Sequence, residues 1–377
     1  MEQVIFAAAF GTGCVAYSIG SLTHKLRRQN EVQLENVRLR DELRASLFAV
    51  TESREQVAAL QSTLGASAAE REILTRLLDE TVLPRVVLES RIKIHDLELE
   101  HVLGQGCFGQ VHLARIRGCT RVACKTLLRS RLAEHHLRTA IRSAELLLSI
   151  RPHPNIVKLL GVAWSIESAR VVHVMELCGG GTLAAALARS AVGETKLGWR
   201  THKLGIAAGV AQGLAHLHGL SPPIVHRDIK PENILLADDM RSAKIADLGL
   251  CHQVSSDGTD PWAGIGTPVF AAPESLKHGL HSRGACSTCT DIWSFGCVLA
   301  CMEGDRSLPY ELAAVDDATF LSKVAMGRVR PGVPKHSIVH SITDECCEFE
   351  AERRPRAEEL VIQLLDKREA EGRGDAR

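Results

Sequence analysis

The chain has 377 residues, and its 45 Lys and Arg balance its 45 Asp and Glu, so the formal net charge is zero. This balance excludes a strong global field that would favour nucleic acid or an acidic surface as a partner, and the length allows two lobes and an extension. Hydrophobic residues make up 45% of the sequence, which excludes an intrinsically disordered chain. The 12 cysteines are scattered, many in apolar runs, and predict reduced thiols in the cytosol rather than a disulfide framework.

The first predicted element, residues 1–24, is a hydrophobic segment. Residues 4–22 carry no charged side chain, and an uncharged run of about 19 residues is near the minimum length that spans a bilayer. Lys25, Arg27 and Arg28 follow directly, while only Glu2 precedes. The positive-inside bias therefore predicts a retained membrane anchor, with the rest of the chain in the cytosol. A cleaved leader and a soluble apolar helix are the alternatives.

Residues 25–80 are predicted to form a coiled-coil-like helix, because they contain no proline and only one glycine, Gly65. A heptad frame places mostly apolar residues at two seam positions, which favours a homodimer. One position holds Asn36, Leu43, Val50, Val57, Leu64, Arg71 and Leu78, and the other holds Val32, Leu39, Ser46, Ser53, Leu60, Ser67 and Leu74. The serines leave a single amphipathic helix as the alternative. Residues 81–96 are predicted to be a linker.

After Pro84 the pattern changes to short strand-like runs, RIKIHDLELEHVL, QVHLARI and RVACKTL, and after Gly180 to long helical runs. A β-rich part ahead of a helical part predicts an α+β fold with two lobes. We expect this domain to cover residues 97–366, and residues 367–377 to form a disordered tail.

The run LGQGCFGQV at residues 103–111 lies between two strand-like runs. Gly104, Gly106 and Gly109 allow backbone amides to approach a polyphosphate closely, because no Cβ intervenes. A dinucleotide site would require a helix directly after the glycines and an acidic residue about 20 positions on. Here a strand follows instead, and the next strand carries Lys125, which is expected to contact the phosphates of a nucleotide.

The run HRDIKPEN at residues 226–233 carries the strongest chemical signal. Phosphoryl transfer needs an acceptor for a hydroxyl proton, a positive group near the transferred phosphate and oxygen ligands for Mg²⁺. Asp228 is predicted to accept the proton and Lys230 to supply the positive charge. Asn233 and Asp247, the latter in IADLGL, are predicted to ligate the metal, because a hard cation prefers oxygen donors.

These motifs resemble the eukaryotic protein kinase family over residues 97–366. Further matches are HPNIV, VMELCGGGTL, GTPVFAAPE, DIWSFG and RRP. The runs IAAGVAQGLAHLH and SPPIVHRDIKPENILL look most like the tyrosine-kinase-like group of Ser/Thr kinases. The resemblance implies a kinase fold with a β-rich N-lobe and a helical C-lobe after a helical N-terminal extension. It also implies transfer of the ATP γ-phosphate to Ser or Thr of a protein substrate, with Mg²⁺ and without a nucleic-acid partner.

The resemblance also implies roles for individual residues. Met175 looks like the gatekeeper, Glu176 and Cys178 would bond adenine through their backbones, and an ion pair would join Glu274 to Arg354. The implied nucleotide-binding set is Leu103, Gly104, Gln105, Gly106, Cys107, Phe108, Gly109, Val111, Ala123, Lys125, Met175, Glu176, Cys178 and Leu235. The implied catalytic set is Lys125, Asp228 and Lys230, and the implied metal ligands are Asn233 and Asp247.

One family feature, the helix glutamate that pairs with the strand lysine, is not evident. With Leu147 as the apolar residue one turn on, Ser143 takes the glutamate's position, and Glu145 lies about 200° around the helix from it. Either the helix is shifted so that Glu145 serves, or Lys125 is held in another way. An active kinase is the main interpretation, because Lys125, Asp228 and Asp247 are all present. A kinase-fold scaffold without turnover is the alternative.

The segment from Asp247 to Glu274 is predicted to contain a phosphorylation switch. In kinases of this type the arginine before the catalytic aspartate, here Arg227, commonly meets a phosphate on this segment. The candidate acceptors are Ser255, Ser256 and Thr259. Thr267 is predicted instead to contact Asp228 and Lys230.

Overall fold

The structure, a computed structural model, describes residues 68–79, 82–106, 109–127, 134–168, 170–248, 251–253, 266–277, 287–310 and 317–374. The predicted membrane segment, most of the predicted coiled coil and the candidate phosphorylation sites Ser255, Ser256 and Thr259 lie outside these residues. Within the described ranges, no helix is both long enough and apolar enough to span a bilayer.

Two short helices precede the first sheet: α1 spans Ala68–Leu77 and α2 spans Arg85–Glu89. Several apolar side chains of this segment are buried in the interior of the chain's own fold. The buried set is Leu74, Leu77, Leu78, Leu83 and Val87. Leu74 and Leu78 occupy the last positions of the two predicted seams, so at this end the seams pack inside the folded unit. Helix α2 lies in the range predicted to be a linker.

The first lobe is a five-stranded antiparallel sheet with strand order β1-β2-β3-β5-β4. Its strands are β1 Leu97–Gly106, β2 Gly109–Ile116, β3 Thr120–Leu127, β4 Leu159–Ser165 and β5 Arg170–Glu176. Alternation along β3 buries Val122 and Cys124 in a cluster on one face and places Ala123 and Lys125 on the other. Helix α3, Glu134–Ser149, follows β3 and contacts β4, α1 and α2.

Strand β4 is at the edge of this sheet, and the segment before β1 covers it. The backbone amide of Ile92 donates to the carbonyl of Val162 over 2.9 Å, and the amide of Val162 donates to the carbonyl of Ser90 over 3.2 Å. The guanidinium of Arg91 lies 4.2 Å from the centre of the Trp164 ring. The segment before β1 is therefore part of the first lobe.

The second lobe is helical and is built around one large apolar core. Its main helices are α4 Leu183–Ala191, α5 Leu204–His218, α6 Pro273–Lys277, α7 Thr288–Glu303, α8 Asp317–Ala325, α9 His340–Cys346 and α10 Ala357–Gly374. Short strands β6 Gly181–Thr182, β8 Ile234–Leu236 and β9 Ala243–Ile245 form one small sheet, and β7 Ile224–Val225 pairs with β10 His252–Gln253. A β-rich lobe followed by a helical lobe agrees with the expected α+β fold.

Helix α10 continues past residue 366, where the domain was expected to end. Residues 367–374 are therefore helical, where the sequence pattern suggested a disordered tail. The run DKREAEG contains strong helix formers. In addition, Arg200 forms an ion pair with Glu371, which ties the last turns of α10 to the body of the lobe.

Replacing Leu74 with alanine is expected to lower the free energy of unfolding by about 2–5 kcal/mol, because the side chain is fully buried and its loss leaves a cavity. Denaturant unfolding of the full chain, followed by circular dichroism, measures this change. Val82→Ala is the control in the same segment, since Val82 is 63% exposed and its truncation should leave stability unchanged. A Leu74 variant as stable as wild type would show that α1 does not dock in solution.

Candidate active site

Lys125 and Asp247 meet between the two lobes. Lys125 is on β3, and Asp247 follows β9. Nζ of Lys125 lies 2.5 Å from Oδ1 of Asp247, although 122 positions separate the two residues in the chain. Asp247 has a φ of 59°, in the left-handed region that aspartate enters more readily than most residues. The fold thus brings the lysine expected to contact phosphates next to a predicted metal ligand.

Asp228, Lys230, Asn233 and Thr267 form a hydrogen-bonded cluster after β7. Nζ of Lys230 lies 2.8 Å from Oδ2 of Asp228. Nδ2 of Asn233 donates to the backbone carbonyl and to Oδ2 of Asp228, both over 2.8 Å. The hydroxyl of Thr267 donates to Oδ1 of Asp228 over 2.7 Å and accepts from Nζ of Lys230 over 2.6 Å. The predicted contacts of Thr267 are confirmed, and the carboxylate of Asp228 is held from several sides.

A glycine allows Thr267 to reach this cluster. Gly266 has a φ of 126°, a conformation that side-chain-bearing residues rarely adopt. A Cβ at Gly266 would lie 2.6 Å from the carbonyl oxygen of Arg227, closer than such atoms can approach. The backbone amide of Thr267 consequently donates to Oδ1 of Asp228 over 3.1 Å.

The carboxylate of Asp291 on α7 binds the backbone of the loop that carries Asp228. Its Oδ2 accepts from the amide of His226 over 2.8 Å, and its Oδ1 accepts from the amide of Arg227 over 2.9 Å. Nε2 of His218 lies 2.9 Å from Oδ2. Burial alone would raise the pKa of Asp291, but the hydrogen bond from His218 and the nearby His226 outweigh it and lower the pKa below its usual value. A buried, ionised carboxylate therefore fixes the loop that carries Asp228.

Helix α3 places Ser143 in the interior, next to the segment that contains Asp247. The hydroxyl of Ser143 donates to the backbone carbonyl of Leu248 over 3.1 Å. Glu145 is partly exposed and forms no ion pair with Lys125 in the described part of the chain. Of the two alternatives for the missing glutamate, the structure therefore supports the second, in which Lys125 is held in another way.

The residues expected to enclose adenine lie on the first sheet and on β8. Val111 is the register partner of Lys125, and Ala123 is the partner of Met175. Leu235 lies on β8 and is partly buried. Of the predicted glycine-rich loop, Leu103, Gly104 and Gln105 are exposed at the end of β1, and Cys107 and Phe108 lie outside the described residues.

Glu176, the last residue of β5, and Cys178, two residues further on, complete the predicted nucleotide-binding set. The carboxylate of Glu176 accepts from the amide of Lys158 over 2.7 Å and from Nζ of Lys244 over 3.0 Å. These bonds occupy the side chain, consistent with a role through the backbone. Burial raises the pKa of the Cys178 thiol to about 11, so this thiol stays protonated at neutral pH.

The expected ion pair between Glu274 and Arg354 is confirmed. The guanidinium of Arg354 binds both carboxylate oxygens, over 2.6 and 2.8 Å, and its side chain is fully buried. It also donates to the backbone carbonyls of Cys289, Glu348 and Phe349. Arg354 therefore connects α6, which carries Glu274, to the start of α7 and to the segment after α9.

Comparison with known families decides what this arrangement is. The family described as the protein kinase domain matches residues 97–368, which is well over half of the chain. The chain belongs to the protein kinase family. The expected resemblance and the two-lobed kinase fold, with a β-rich N-lobe and a helical C-lobe, are thereby confirmed.

The names of the relatives include both serine/threonine-protein kinases and a protein-tyrosine kinase. Protein STRUBBELIG-RECEPTOR FAMILY 3 of Arabidopsis thaliana is 30% identical over 297 residues, 74% of this chain and 37% of that protein. Serine/threonine-protein kinase CTR1 of Arabidopsis thaliana is 33% identical over 204 residues, 54% of this chain and 23% of that protein. Receptor protein-tyrosine kinase CEPR1 of Arabidopsis thaliana is 36% identical over 225 residues, 57% of this chain and 22% of that protein. The kinase thus spans well under half of each relative.

The sequence pattern assigns no role to three polar residues near the site of this kinase, although each of them stands in an apolar run. Asp291 is a charged residue at the start of an otherwise apolar helix, and His218 ends another apolar helix. His173 interrupts the apolar strand RVVHVME. A polar residue in an apolar run is the signal for each, because burial of a polar group requires a specific partner.

Replacing Thr267 with valine is expected to lower kcat/KM of the kinase by about 10–100-fold, because hydrogen bonds to two charged groups are lost without a change in side-chain shape. Steady-state phosphate transfer to a protein acceptor measures the effect. Thr267→Ser keeps the hydroxyl and should remain close to wild type. Equal activity of the valine and serine variants would show that the hydroxyl does not position Asp228 and Lys230.

Proposed function

We propose that the chain is a protein serine/threonine kinase, which transfers the γ-phosphate of ATP to Ser or Thr hydroxyls of protein substrates. The observation that carries the proposal is the cluster of Asp228, Lys230, Asn233 and Thr267. It combines a proton acceptor, a cation and an amide oxygen within one hydrogen-bonded group. Lys230, two residues after Asp228, is the pattern of Ser/Thr-type kinases and supports this specificity over tyrosine.

The roles follow from the chemistry of each group. Asp228 accepts the proton of the substrate hydroxyl, while the hydroxyl oxygen bonds to the γ-phosphorus and the bond from that phosphorus to the bridging oxygen of ADP breaks. Lys230 neutralises charge that develops on the transferred group. Thr267 and Asn233 keep the carboxylate of Asp228 in one orientation, since both donate to it.

The residues fit a complex of ATP with Mg²⁺. Asn233 uses its Nδ2 group on Asp228, which leaves its amide oxygen as the atom suited to a metal. Asp247 supplies carboxylate oxygens, and Lys125 lies next to them. When bound, Mg²⁺ and ATP supply the phosphoryl group and offset its negative charge. Leu103, Gly104, Gln105, Gly106 and Gly109 would contact the phosphates through backbone atoms.

We also propose that the kinase is tethered to a membrane through residues 4–22, with its catalytic domain in the cytosol, and that the predicted coiled coil supports a homodimer through its residues before Ala68. The uncharged segment and the heptad pattern support these two proposals. A second candidate function is a kinase-fold scaffold that binds ATP or partners without turnover. The observation in its favour is Ser143 at the position of the helix glutamate.

The test is phosphate transfer by the full chain with ATP and Mg²⁺, on peptide mixtures that contain Ser, Thr or Tyr as the acceptor, followed by phospho-amino-acid analysis. Phosphoserine or phosphothreonine that disappears on addition of EDTA, and is absent with Lys125→Met, is the expected result. Phosphotyrosine as the main product would contradict the specificity. A folded chain that binds ATP but transfers no phosphate would favour the scaffold.

A further inference from the structure

Helix α3 connects the first lobe to the segment that carries Asp247. The hydroxyl of Ser143, on α3, donates to the backbone carbonyl of Leu248 over 3.1 Å. The side chain of Leu248 is buried in an apolar cluster, and Leu146 and Leu147 of the same helix pack against that cluster. Since Leu248 directly follows Asp247, a shift of α3 would also move the carboxylate that is proposed to bind Mg²⁺.

Two helices that lie before residue 97, where the matched family region begins, pack against α3. Both α1 and α2 contact it. Leu74 of α1 and Val87 of α2 are buried, as are Leu137 and Ala144 of α3. Because burial of apolar surface is the dominant favourable contribution to packing, the two helices contribute to holding α3 in place.

The segment after α2 is fixed to the edge strand β4 by backbone pairing. The amide of Ile92 donates to the carbonyl of Val162 over 2.9 Å, and the amide of Val162 donates to the carbonyl of Ser90 over 3.2 Å. Gly161 leaves room for this pairing, because a Cβ there would overlap the carbonyl oxygen of Ser90 and lie 2.9 Å from Cδ1 of Ile92. Strand β4 also contacts α3, so the strand and the preceding segment support the same helix.

Packing has a larger share in fixing α3 here than in kinases that carry the helix glutamate. In those kinases the glutamate forms an ion pair with the strand lysine. The hydroxyl of Ser143 carries no charge, and its bond to Leu248 is a neutral hydrogen bond. Charge-assisted hydrogen bonds are about twice as strong as neutral ones.

We propose that the segment from Leu74 to Ile92 is a positioning element of the kinase, which holds α3 and thereby keeps Asp247 in place to bind ATP with Mg²⁺. This inference rests on the proposed kinase function. It assigns a role in nucleotide binding to residues outside the matched family region. A segment with only a structural role would contribute to stability and leave the affinity for ATP unchanged.

The test compares Leu74→Ala with Leu360→Ala, which removes the same side chain from an equally buried place in the core of the helical lobe. Both are studied as full chains, well below their unfolding temperatures. We expect both to lose stability, but only Leu74→Ala to raise KM and the dissociation constant for ATP with Mg²⁺. The expected rise is about 2–30-fold, the range for substitutions that act on a site through packing.

The Michaelis constant for the protein acceptor separates positioning from a general loss of structure. It should stay at the wild-type value in both variants, because the cluster around Asp228 belongs to the helical lobe. Leu74→Met, which keeps most of the apolar volume, should restore the affinity for ATP. Equal ATP affinity in Leu74→Ala and Leu360→Ala would overturn the inference.

Gly161→Ala gives a second, independent test, because it acts on the pairing with β4 and opens no cavity. We expect the same selective loss of ATP affinity. A Gly161→Ala variant whose Ile92 and Val162 amides exchange faster with solvent, and which still binds ATP like wild type, would contradict the inference. If Leu74→Ala does not fold, Leu74→Val and Leu360→Val replace the alanine pair, since they leave smaller cavities.

Hydrogen exchange of the α3 amides provides a readout that requires neither turnover nor nucleotide. We expect faster exchange in Leu74→Ala than in Leu360→Ala, because only the first substitution removes packing beside α3. Equal exchange in the two variants would overturn the inference. A wild-type chain that transfers no phosphate would refute the kinase activity, whereas the exchange rates and the dissociation constants would still decide whether the segment holds α3 and the nucleotide site.

Discussion

Asp228→Asn is expected to reduce the rate of phosphate transfer by about 10²–10⁴-fold, the range observed when a general base is lost. An amide cannot accept the proton of the substrate hydroxyl. In addition, the new NH₂ group would face the amine of Lys230 and the amide NH₂ of Asn233, both donors to the present Oδ2. The transferred phosphate is measured under saturating ATP and acceptor, so that the change is read as kcat.

The control for this variant is Asp239→Asn, which removes an exposed carboxylate in the turn between β8 and β9 and leaves the cluster unchanged. It should transfer phosphate at the wild-type rate. ATP affinity should be little changed in Asp228→Asn, since Lys125 and Asp247 are untouched. Transfer by Asp228→Asn at the rate of the control would show that another group accepts the proton.

Arg354→Leu is expected to lower the free energy of unfolding by about 3–5 kcal/mol, because it leaves the partly buried carboxylate of Glu274 without its partner. The backbone carbonyls of Cys289, Glu348 and Phe349 lose their donor at the same time. Denaturant unfolding of the full chain measures the loss.

Arg356→Leu is the matched control, two residues further along the chain. Its guanidinium is 80% exposed and pairs with the exposed Glu359, so its removal should leave the unfolding midpoint unchanged. An equal loss of stability in the two variants would show that the pair of Arg354 with Glu274 stabilises the C-lobe no more than an exposed ion pair does.

Much of the candidate site could be predicted because its residues are close together in the chain. Asp228, Lys230 and Asn233 fall within one short loop, and local geometry alone brings them together. The meeting of Lys125 with Asp247 depends on the closure of two lobes, and no local pattern contains it. It was predictable only through the resemblance to a family whose fold is known.

Other features could not be predicted from the sequence. The spacing of apolar residues shows which face of a helix is buried, but it does not show what packs against that face. The apolar spacing around Leu74 and Leu78 suits a second copy of the helix as well as the chain's own interior, and the structure uses the interior. Likewise, Asp291 stood within a recognised motif, but its bonds to the loop amides of His226 and Arg227 require the tertiary fold. Ser143 and Glu145 stood as alternatives for the position of the helix glutamate, and only the tertiary fold shows that Ser143 is the buried one.

The segment before β1, which pairs with strand β4, limits where the kinase can be truncated. A fragment that begins at Leu97, the start of the matched family region, lacks Ser90 and Ile92 and so exposes the backbone of Val162 along an open strand edge. It also lacks α1 and α2, so the surface of α3 that these two helices contact becomes exposed to water. Open edges and apolar patches recruit other chains. Such a fragment would aggregate during purification, whereas one that starts before Ala68 would stay in solution.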